Sequence, residues 1–517
     1  MPDITTLRDE LYTLHDGRVI ESPEQSIMMF QLMRMRPHAS TDYSWDDIGT
    51  ATLVGDIYSN DIRYCPNTDV WYIWEGRRWK RQGDTGVISD RLQTLLNLLV
   101  LYCKEIHETT EEGSAERDMI ESYTKYVHTL RKYTAMRNVL EVLKTRVRMT
   151  LDVMDTNPYL LTMPDKTMDL KTGKLVWETN DQCVTKMTSC ALPSVLTSYR
   201  CERWYQFIDE IMGGDKEKAA FLQRALGYSL LGVNREECMF VAHGARTRNG
   251  KGTLFSTIQT VLGSDYADSA PTDLICEAKS GRVTDFNAPQ PALAKLVGTR
   301  LVTMAESSKD VRLDAASMKT LTGRDTLVTR GLYQSSFSFV PQFTLWLNTN
   351  HLPAVTDETV FSSNRIHVIE FNEHFGDAPD KDLKELFAHP DNRPTILQWL
   401  VDGCAEYMRL GLEPPECVKD ATNRYRKMHD RIGNFLEECT VEGEDKLIKR
   451  GDLYLLYTQW CLKGENKYKP LGSTTFYNEI AMRGFEIRQR SGIGWCVLRL
   501  AGIERIKNSE GSKIAPK

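Results

Sequence analysis

The stretch Cys238-Met-Phe-Val-Ala-His-Gly244-Ala-Arg-Thr-Arg-Asn249-Gly250-Lys251-Gly252-Thr253 decides how this chain is read. An apolar strand over Cys238–Ala242 runs into a glycine-bounded turn, and a helix is expected over Thr253–Leu262. A phosphate loop requires this setting. Glycines let backbone N–H groups point into one cradle, and the helix N-terminus adds partial positive charge. Lys251 is placed to reach β and γ phosphates, and Thr253 to offer its hydroxyl to magnesium. Gly244, Asn249, Gly250 and Gly252 complete the expected nucleotide-binding set. The spacing departs from G-x-x-x-x-G-K-S/T in two ways. Gly244 and Gly250 enclose five residues, and Gly252 follows the lysine, pushing the hydroxyl to Thr253.

Downstream the pattern alternates strand, loop and helix, which predicts an α/β fold with a parallel sheet covered by helices. The further strands are expected at Arg300–Ala305, Phe343–Leu347 and Ile366–Phe371. The first of them ends in Glu306, a single acid suited to orient water or to help hold Mg²⁺ beside a γ phosphate; a surface glutamate after a core strand is the bland reading. Phe343-Thr-Leu-Trp-Leu-Asn348-Thr-Asn350 ends in amides that can meet a γ phosphate or attacking water, or simply cap the next turn. Ser363-Asn-Arg365 leads the last strand with one arginine. Thr326–Val340 reads as a hairpin turning near Gly331–Gln334.

Around this centre the chain divides further. Its 517 residues, at ~100–200 per domain, suggest three or four domains. Residues 1–50 read as a polar leader with one short helix. Residues 51–205 read as an accessory domain: an aromatic hairpin at Asp69–Lys80, helices over 87–150, and two short strands near Asn157–Leu161 and Met168–Leu175. Trp71, Trp74 and Trp79 beside Arg77, Arg78 and Lys80 form either a packed aromatic face or a stacking platform for nucleic acid. The core spans 206–425. Over 426–505, helices at 431–440, 450–463 and 473–483 close on strands 485–490 and 495–500 around Ser491-Gly-Ile-Gly, the order of a winged helix. A basic tail, 506–517, follows. Arg483, Arg488, Arg490, Arg505, Lys507, Lys513 and Lys517 there suit either duplex binding or a subunit contact with solvated charges.

Composition narrows the class. Apolar residues are 41% and charged residues 26%, as in an ordinary globular protein, which excludes disorder and collagen. No apolar run approaches the ~18 residues of a membrane span, and the first residues lack a signal peptide's apolar core. A cytoplasmic location is therefore expected. Twelve cysteines contain no C-x-x-C pair, so a zinc ribbon lacks its ligands. No His/Asp/Glu cluster has metal-ligand spacing either. Any metal is expected to be Mg²⁺ carried by a nucleotide. His243, beside the loop, reads as a packed or capping histidine. A net charge of −6 argues against nucleic acid over the whole surface, while leaving room for a local basic channel.

These residues carry a resemblance. RNGKGTL (248–254), RLVTMAES (300–307), MKTLTGRD (318–325), TRGLYQSSFSF (329–339), LWLNTNHLP (345–353) and NRIHVIEF (364–371) resemble, in order and spacing, the motifs of superfamily 3 helicases. The branch they resemble is that of the phage, plasmid and poxvirus-type primase-helicases. WYIWEGRRW (71–79), NPYLLTMPDKTMDLKTGKL (157–175) and the C-terminal segment resemble the same family's accessory parts, so the likeness covers roughly residues 45–500.

The resemblance implies an AAA+-like core that assembles as a ring, usually hexameric, around DNA. ATP would sit between subunits, with Lys251 and Thr253 on phosphate and metal, Glu306 activating water and Asn350 sensing the γ phosphate. Arg365 would reach across from the neighbouring subunit. The hairpin would project into the channel and grip a single strand through Lys319, Arg324, Arg330 and Tyr333; relatives often carry a base nearer the tip, where this chain has Gln334. The function so implied is an ATP-dependent replicative DNA helicase. The alternative is a DNA-binding initiator or loader whose ATPase is an assembly switch. A small-molecule kinase lacks any substrate-binding signature here. Primer synthesis by this chain is not expected, because no Asp-x-Asp pair of primase type stands in the leader, and a primase acting in trans is the expected partner.

Overall fold

The computed structural model describes residues 11–177, 180–193, 201–277, 289–305, 311–330, 336–355, 359–376, 380–463, 470–506 and 513–516. Its centre is laid down, in chain order, by helices Glu202–Ile211 (α1) and Lys216–Tyr228 (α2), strand Met239–His243 (β1) and helix Lys251–Tyr266 (α3). Strands Ala267–Ser269 (β2) and Leu301–Ala305 (β3) follow, then helix Ala315–Thr322 (α4), strands Thr344–Thr349 (β4) and Ile366–Glu370 (β5), and helix Arg393–Leu410 (α5). The strands lie in the order β5-β1-β4-β3-β2, and every pairing is parallel.

Sequence dictates why this sheet is covered on both faces. β1, β3, β4 and β5 are apolar for nearly their whole length and buried at four successive positions each, the pattern of a strand with helices on either side. Alternate residues feed two separate cores. Phe240, Ala242, Leu301, Trp346 and Ile369 join α1, α2, α3 and α5 on one face. Met239, Val241, Val302, Met304, Leu345, Leu347 and Val368 join α4 on the other. The expected parallel α/β core is therefore found, with strand boundaries displaced by at most two residues and the helix expected over Thr253–Leu262 extended to Lys251–Tyr266. β2, a three-residue edge strand, was not read from the sequence.

Upstream, helices Pro23–Met35, Asp47–Ile57, Gly86–Thr109, Ala115–Leu130 and Tyr133–Arg146 pack with a three-stranded antiparallel sheet, Ile62–Cys65, Val70–Trp74 and Trp79–Arg81. The expected leader does not stay apart. Leu14, Ile20, Met28, Met29 and Leu32 are buried in the same core as Leu92, Leu96 and Tyr102, because Met and Leu line one side of the helix that Ser22 caps and Pro23 opens. The aromatic hairpin proves to be a packed face. Trp71 and Trp79 are buried, and the Arg63 guanidinium lies 4.6 Å over the Trp79 ring. Those two tryptophans offer no platform to nucleic acid.

At the C-terminal end, helix Arg431–Cys439 is followed by strand Thr440–Lys449, helices Arg450–Lys463 and Ser473–Met482, and strands Ile487–Arg490 and Gly494–Ile506. The last strand lies between the other two, and Lys513–Pro516 pairs with its far half. Thr440–Lys449 had not been expected. Its alternation is broken by Gly443-Glu-Asp, where the register with the central strand shifts. Among the described residues no helix is long and apolar enough to cross a membrane.

Candidate nucleotide-binding site

Register alone brings the predicted motifs to one end of the sheet. His243, the last residue of β1, stands beside Thr349 of β4 and Glu370 of β5, and Ala305 of β3 stands beside Asn348. The phosphate-loop segment, Asn350 and Phe371 therefore leave the sheet together at its C-terminal edge, where ligands of open α/β sheets bind. Glu306 follows Ala305 in sequence but lies outside the described residues.

The loop folds around its own side chains. Asn249 is buried, and its Nδ2 donates to the Arg246 carbonyl at 2.6 Å. That bridge takes up the residue by which this loop exceeds the usual spacing. Gly244 is required by crowding: a Cβ there would stand 2.2 Å from Asn249 Nδ2 and 2.7 Å from the Phe371 carbonyl. Gly250 caps α3 with φ of 84°, a left-handed conformation that glycine takes without strain. A Cβ there would also meet Ile211 Cγ2 at 2.3 Å, so α1 buttresses the turn. Around Gly252, by contrast, a Cβ would meet nothing within 4 Å, and the cradle is open on that side. Thr253, half-buried, occupies the first turn of α3.

Lys251 is the electrostatic centre. Its ammonium is buried and donates to the Thr349 carbonyl at 2.8 Å, Asn350 Oδ1 at 2.9 Å and the Gly244 carbonyl at 3.3 Å. All three acceptors are neutral oxygens. Burial pushes its pKa down to about 8. A buried cation that pairs with no carboxylate among the described residues suits an anionic ligand as its counter-charge. Beside it, burial and then the Lys251 charge hold the His243 imidazole below its usual pKa, so His243 is neutral near pH 7. Over the loop lies the segment after β5. Phe375 N–H donates to the Arg248 carbonyl at 3.0 Å, Arg248 Nη1 donates to the Gly376 carbonyl at 3.0 Å, and His374 Nδ1 lies 2.8 Å from the Thr247 carbonyl. Sequence reading missed this strap, since nothing local in Asn372–Gly376 marks it. The residues present thus fit a nucleotide triphosphate: a turn open at Gly252 before a helix N-terminus, a cation whose partners among the described residues are all uncharged, and a hydroxyl in the first helical turn. Among the described residues no group of three or more His, Cys, Asp or Glu gathers as a metal site.

The remaining predicted residues fall elsewhere. Arg365 immediately precedes β5, whose first residue stands beside Met239, at the opposite end of the sheet from Lys251. At ~3.3 Å per residue, a five-residue strand separates the two by roughly 15 Å. Arg365 Nη2 donates to Glu237 Oε2 at 2.7 Å, and Nη1 donates to the Glu237 carbonyl and Thr322 Oγ1, each at 3.2 Å. The expected hairpin is present as strands Leu327–Thr329 and Phe337–Phe339. Arg330 is exposed at its outer end, while Tyr333 and Gln334 lie outside the described residues. Lys319 is on α4. Arg324, expected to serve the hairpin, donates through Nε to the Asn234 carbonyl at 3.1 Å and through Nη2 to the Arg235 carbonyl at 2.6 Å, which ties it to the turn before β1. A cavity of about 680 Å³ lies away from Lys251, between the aromatic sheet and the core. Its Arg78 and Lys295 are already paired with Asp265 and Asp268.

Comparison with known proteins finds matches on both sides of this core. A family model described as "D5 N terminal like" matches residues 51–213, and one described as "Poxvirus D5 protein-like" matches 427–491. A protein of Acanthamoeba polyphaga mimivirus named as a helicase is 24% identical over 431 residues, covering 76% of this chain and 43% of the relative. A helicase so named in Frog virus 3 is 26% identical over 263 residues, covering 48% and 26%. This chain thus spans less than half the length of either relative. Among solved structures, the apo NrS-1 C-terminal region (305–718) aligns with a TM-score of 0.47 at 11% identity, covering 88% of this chain and 99% of that one. With one family model on each side of the parallel-sheet core, and viral proteins named as helicases among its relatives, this chain carries D5-type domains of the poxvirus family over residues 51–213 and 427–491.

Proposed function

We propose that the chain is an ATP-driven DNA helicase of viral replication that works as a homo-hexameric ring, with one ATP·Mg²⁺ at each subunit interface. The observation that carries this reading is the buried Lys251 ammonium, held by Thr349, Asn350 and Gly244 with no carboxylate paired to it among the described residues. In this superfamily 3 reading, backbone N–H groups of 244–253 and Lys251 bind the phosphates. Thr253 holds the metal, with Glu306 as its expected partner and as the residue that orients water. Magnesium supplies charge neutralisation of the β and γ phosphates. Asn350, already touching Lys251, senses the γ phosphate. Arg365 lies too far along its own sheet to serve its own loop, which supports action on a neighbour's nucleotide. An arginine supplied in that way is worth ~10³–10⁵ in rate and makes hydrolysis depend on assembly. Lys319, Arg330 and Tyr333 are the residues proposed to grip a single DNA strand, and the helix-strand-helix-helix-strand-strand order of 431–506 is read as a winged helix that meets duplex DNA. A primase supplied in trans is the partner this reading calls for.

One observation favours the alternative, an ATP-switched initiator or loader. With Arg324 drawn to the turn before β1, Arg330 is the exposed cation of the hairpin among the described residues. A single experiment separates the two. ATP turnover is measured with and without single-stranded DNA, alongside strand separation on a forked duplex, with Lys251→Ala as the control. Stimulated turnover with separation supports the helicase. Turnover without separation supports the switch, and no turnover at all overturns both.

A further inference from the structure

Glu237 is held in a conformation with φ of 48°, which side-chain-bearing residues adopt at a cost. It is the residue two before β1, and its N–H donates to the Asn234 carbonyl at 3.3 Å. Its two carboxylate oxygens face two different arginines. Oε2 accepts from Arg365 at 2.7 Å, and Oε1 lies 3.6 Å from Arg324 Nε. Neither arginine displaces the other. One carboxylate between two guanidinium groups leaves a net positive charge, and each guanidinium keeps N–H donors beyond those it uses here. Both are also braced by neutral groups: Arg365 by the Thr322 hydroxyl and the Glu237 carbonyl, Arg324 by the Asn234 and Arg235 carbonyls. Arg324 is the outer of the two, with its side chain 54% exposed against 19% for Arg365. An anion arriving from solvent therefore meets Arg324 first.

We propose that Arg324 and Arg365, held side by side by Glu237, act as one cationic edge on the triphosphate of a neighbouring copy's nucleotide, with Glu237 as their positioning residue. This rests on the reading of Arg365 as acting across an interface. Charge that moves onto phosphate oxygens in the transition state is stabilised most by donors that need no reorganisation, and a shared carboxylate with four neutral acceptors fixes both guanidinium groups beforehand. Arg324 also keeps Glu237 paired when Arg365 turns toward phosphate, so the shift leaves no isolated carboxylate behind.

The test uses the full chain carrying Glu237→Gln, Arg324→Ala, Arg324→Lys, Arg365→Ala or Lys251→Ala, with DNA-stimulated ATPase and binding of a fluorescent ATP analogue as readouts. Glu237→Gln and Arg324→Ala are expected to lower kcat at least about tenfold, with KM and analogue binding within about twofold, because each chain's own phosphate loop is intact. Arg324→Lys restores part of the loss. Mixing either variant with Lys251→Ala protein restores turnover, since an intact loop then faces an intact edge. If Arg365→Ala is rescued in such mixtures while Glu237→Gln and Arg324→Ala are not, or if these two keep wild-type kcat, the inference fails and the interface reading stands. If Arg365→Ala itself is not rescued, the interface reading falls, and the inference with it. Should Glu237→Gln not fold, the exposed Arg324 variants decide alone.

Discussion

Lys251 is an ammonium that folding has placed among carbonyls, and its chemistry at the residue scale follows from that. Removing it is expected to abolish ATP hydrolysis, because the loop loses its lysine for the β and γ phosphates; steady-state turnover of Lys251→Ala at the wild-type rate would remove the residue from the site. The pH dependence is sharper. Burial lowers the folded-state pKa to about 8, against about 10.4 for an unperturbed lysine. The unfolded chain therefore holds this proton to higher pH than the folded one, and this group's effect on stability improves as pH rises from about 8 toward its unfolded value. Nucleotide binding acts in the opposite sense, since phosphate favours the charged form. ATP affinity is expected to hold up to about pH 8 and then to fall by up to roughly tenfold per unit. Proton uptake on binding at pH 9 is the matching signature, read by calorimetry in two buffers of different ionisation enthalpy. Flat affinity from pH 7 to 9.5, with no proton taken up, would separate Lys251 from the phosphates. This candidate was legible in sequence because its pattern is local: glycines, lysine and hydroxyl lie within ten positions. Glu237 was not legible, since its partners Thr322, Arg324 and Arg365 are brought to it only by the sheet.

Between elements, the tightest fit is the crossing of α2 and α5. A Cβ on Gly227 would stand 2.1 Å from the Cys404 amide nitrogen, and one on Gly403 would stand 2.2 Å from the Gln223 carbonyl oxygen. Both obstacles are backbone, so neither can swing aside as a flexible side chain would. The crossing matters to the site, because α2 follows α1, and α1 sets Ile211 against Gly250 under the phosphate loop. Gly403→Ala is expected to destabilise by about 1–3 kcal/mol, a fall of roughly 2–4 °C in melting temperature per kcal/mol, and to weaken ATP binding alongside. A melting temperature equal to wild type would mean that the helices part without cost. Sequence periodicity has no access to such a glycine contact. The same distinction explains the other misses. Ser22 and Pro23 carried a readable helix start, and Met28, Met29 and Leu32 a readable buried face, so the leader's place in the core was open to inference. Strand Thr440–Lys449 was not, because it is buried at Thr440 alone and owes its form to pairing with Gly494–Ile506.

Across the whole molecule, the loop carrying Lys251 and the Arg324–Arg365 pair occupy opposite ends of β1 and β5, so in the proposed function one chain holds two half-sites that do not meet. The strand order that separates them was not readable from sequence, which predicted parallel strands but not their neighbours. Local apolar runs mark a strand; the crossovers that seat β5 beside β1 and β4 between β1 and β3 are tertiary facts. The separation has a consequence for catalysis. If hydrolysis needs Arg365 from a second copy, turnover per chain must depend on protein concentration, while ATP binding, which needs only Lys251 and the loop, must not. Upon dilution through the assembly range, specific ATPase activity is expected to fall steeply, and a fluorescent ATP analogue is expected to bind with unchanged affinity per chain. Arg365→Ala removes the steepness by lowering turnover at every concentration, again with binding preserved. An equimolar mixture of Arg365→Ala and Lys251→Ala recovers activity only above the same concentration threshold, since restoration needs one chain of each kind in contact. Turnover per chain that stays constant from the fully assembled protein down to the monomer would show that a single chain completes its own site. The arginine would then have to reach its own loop along the length of a strand, and the proposed division of labour between copies would be wrong.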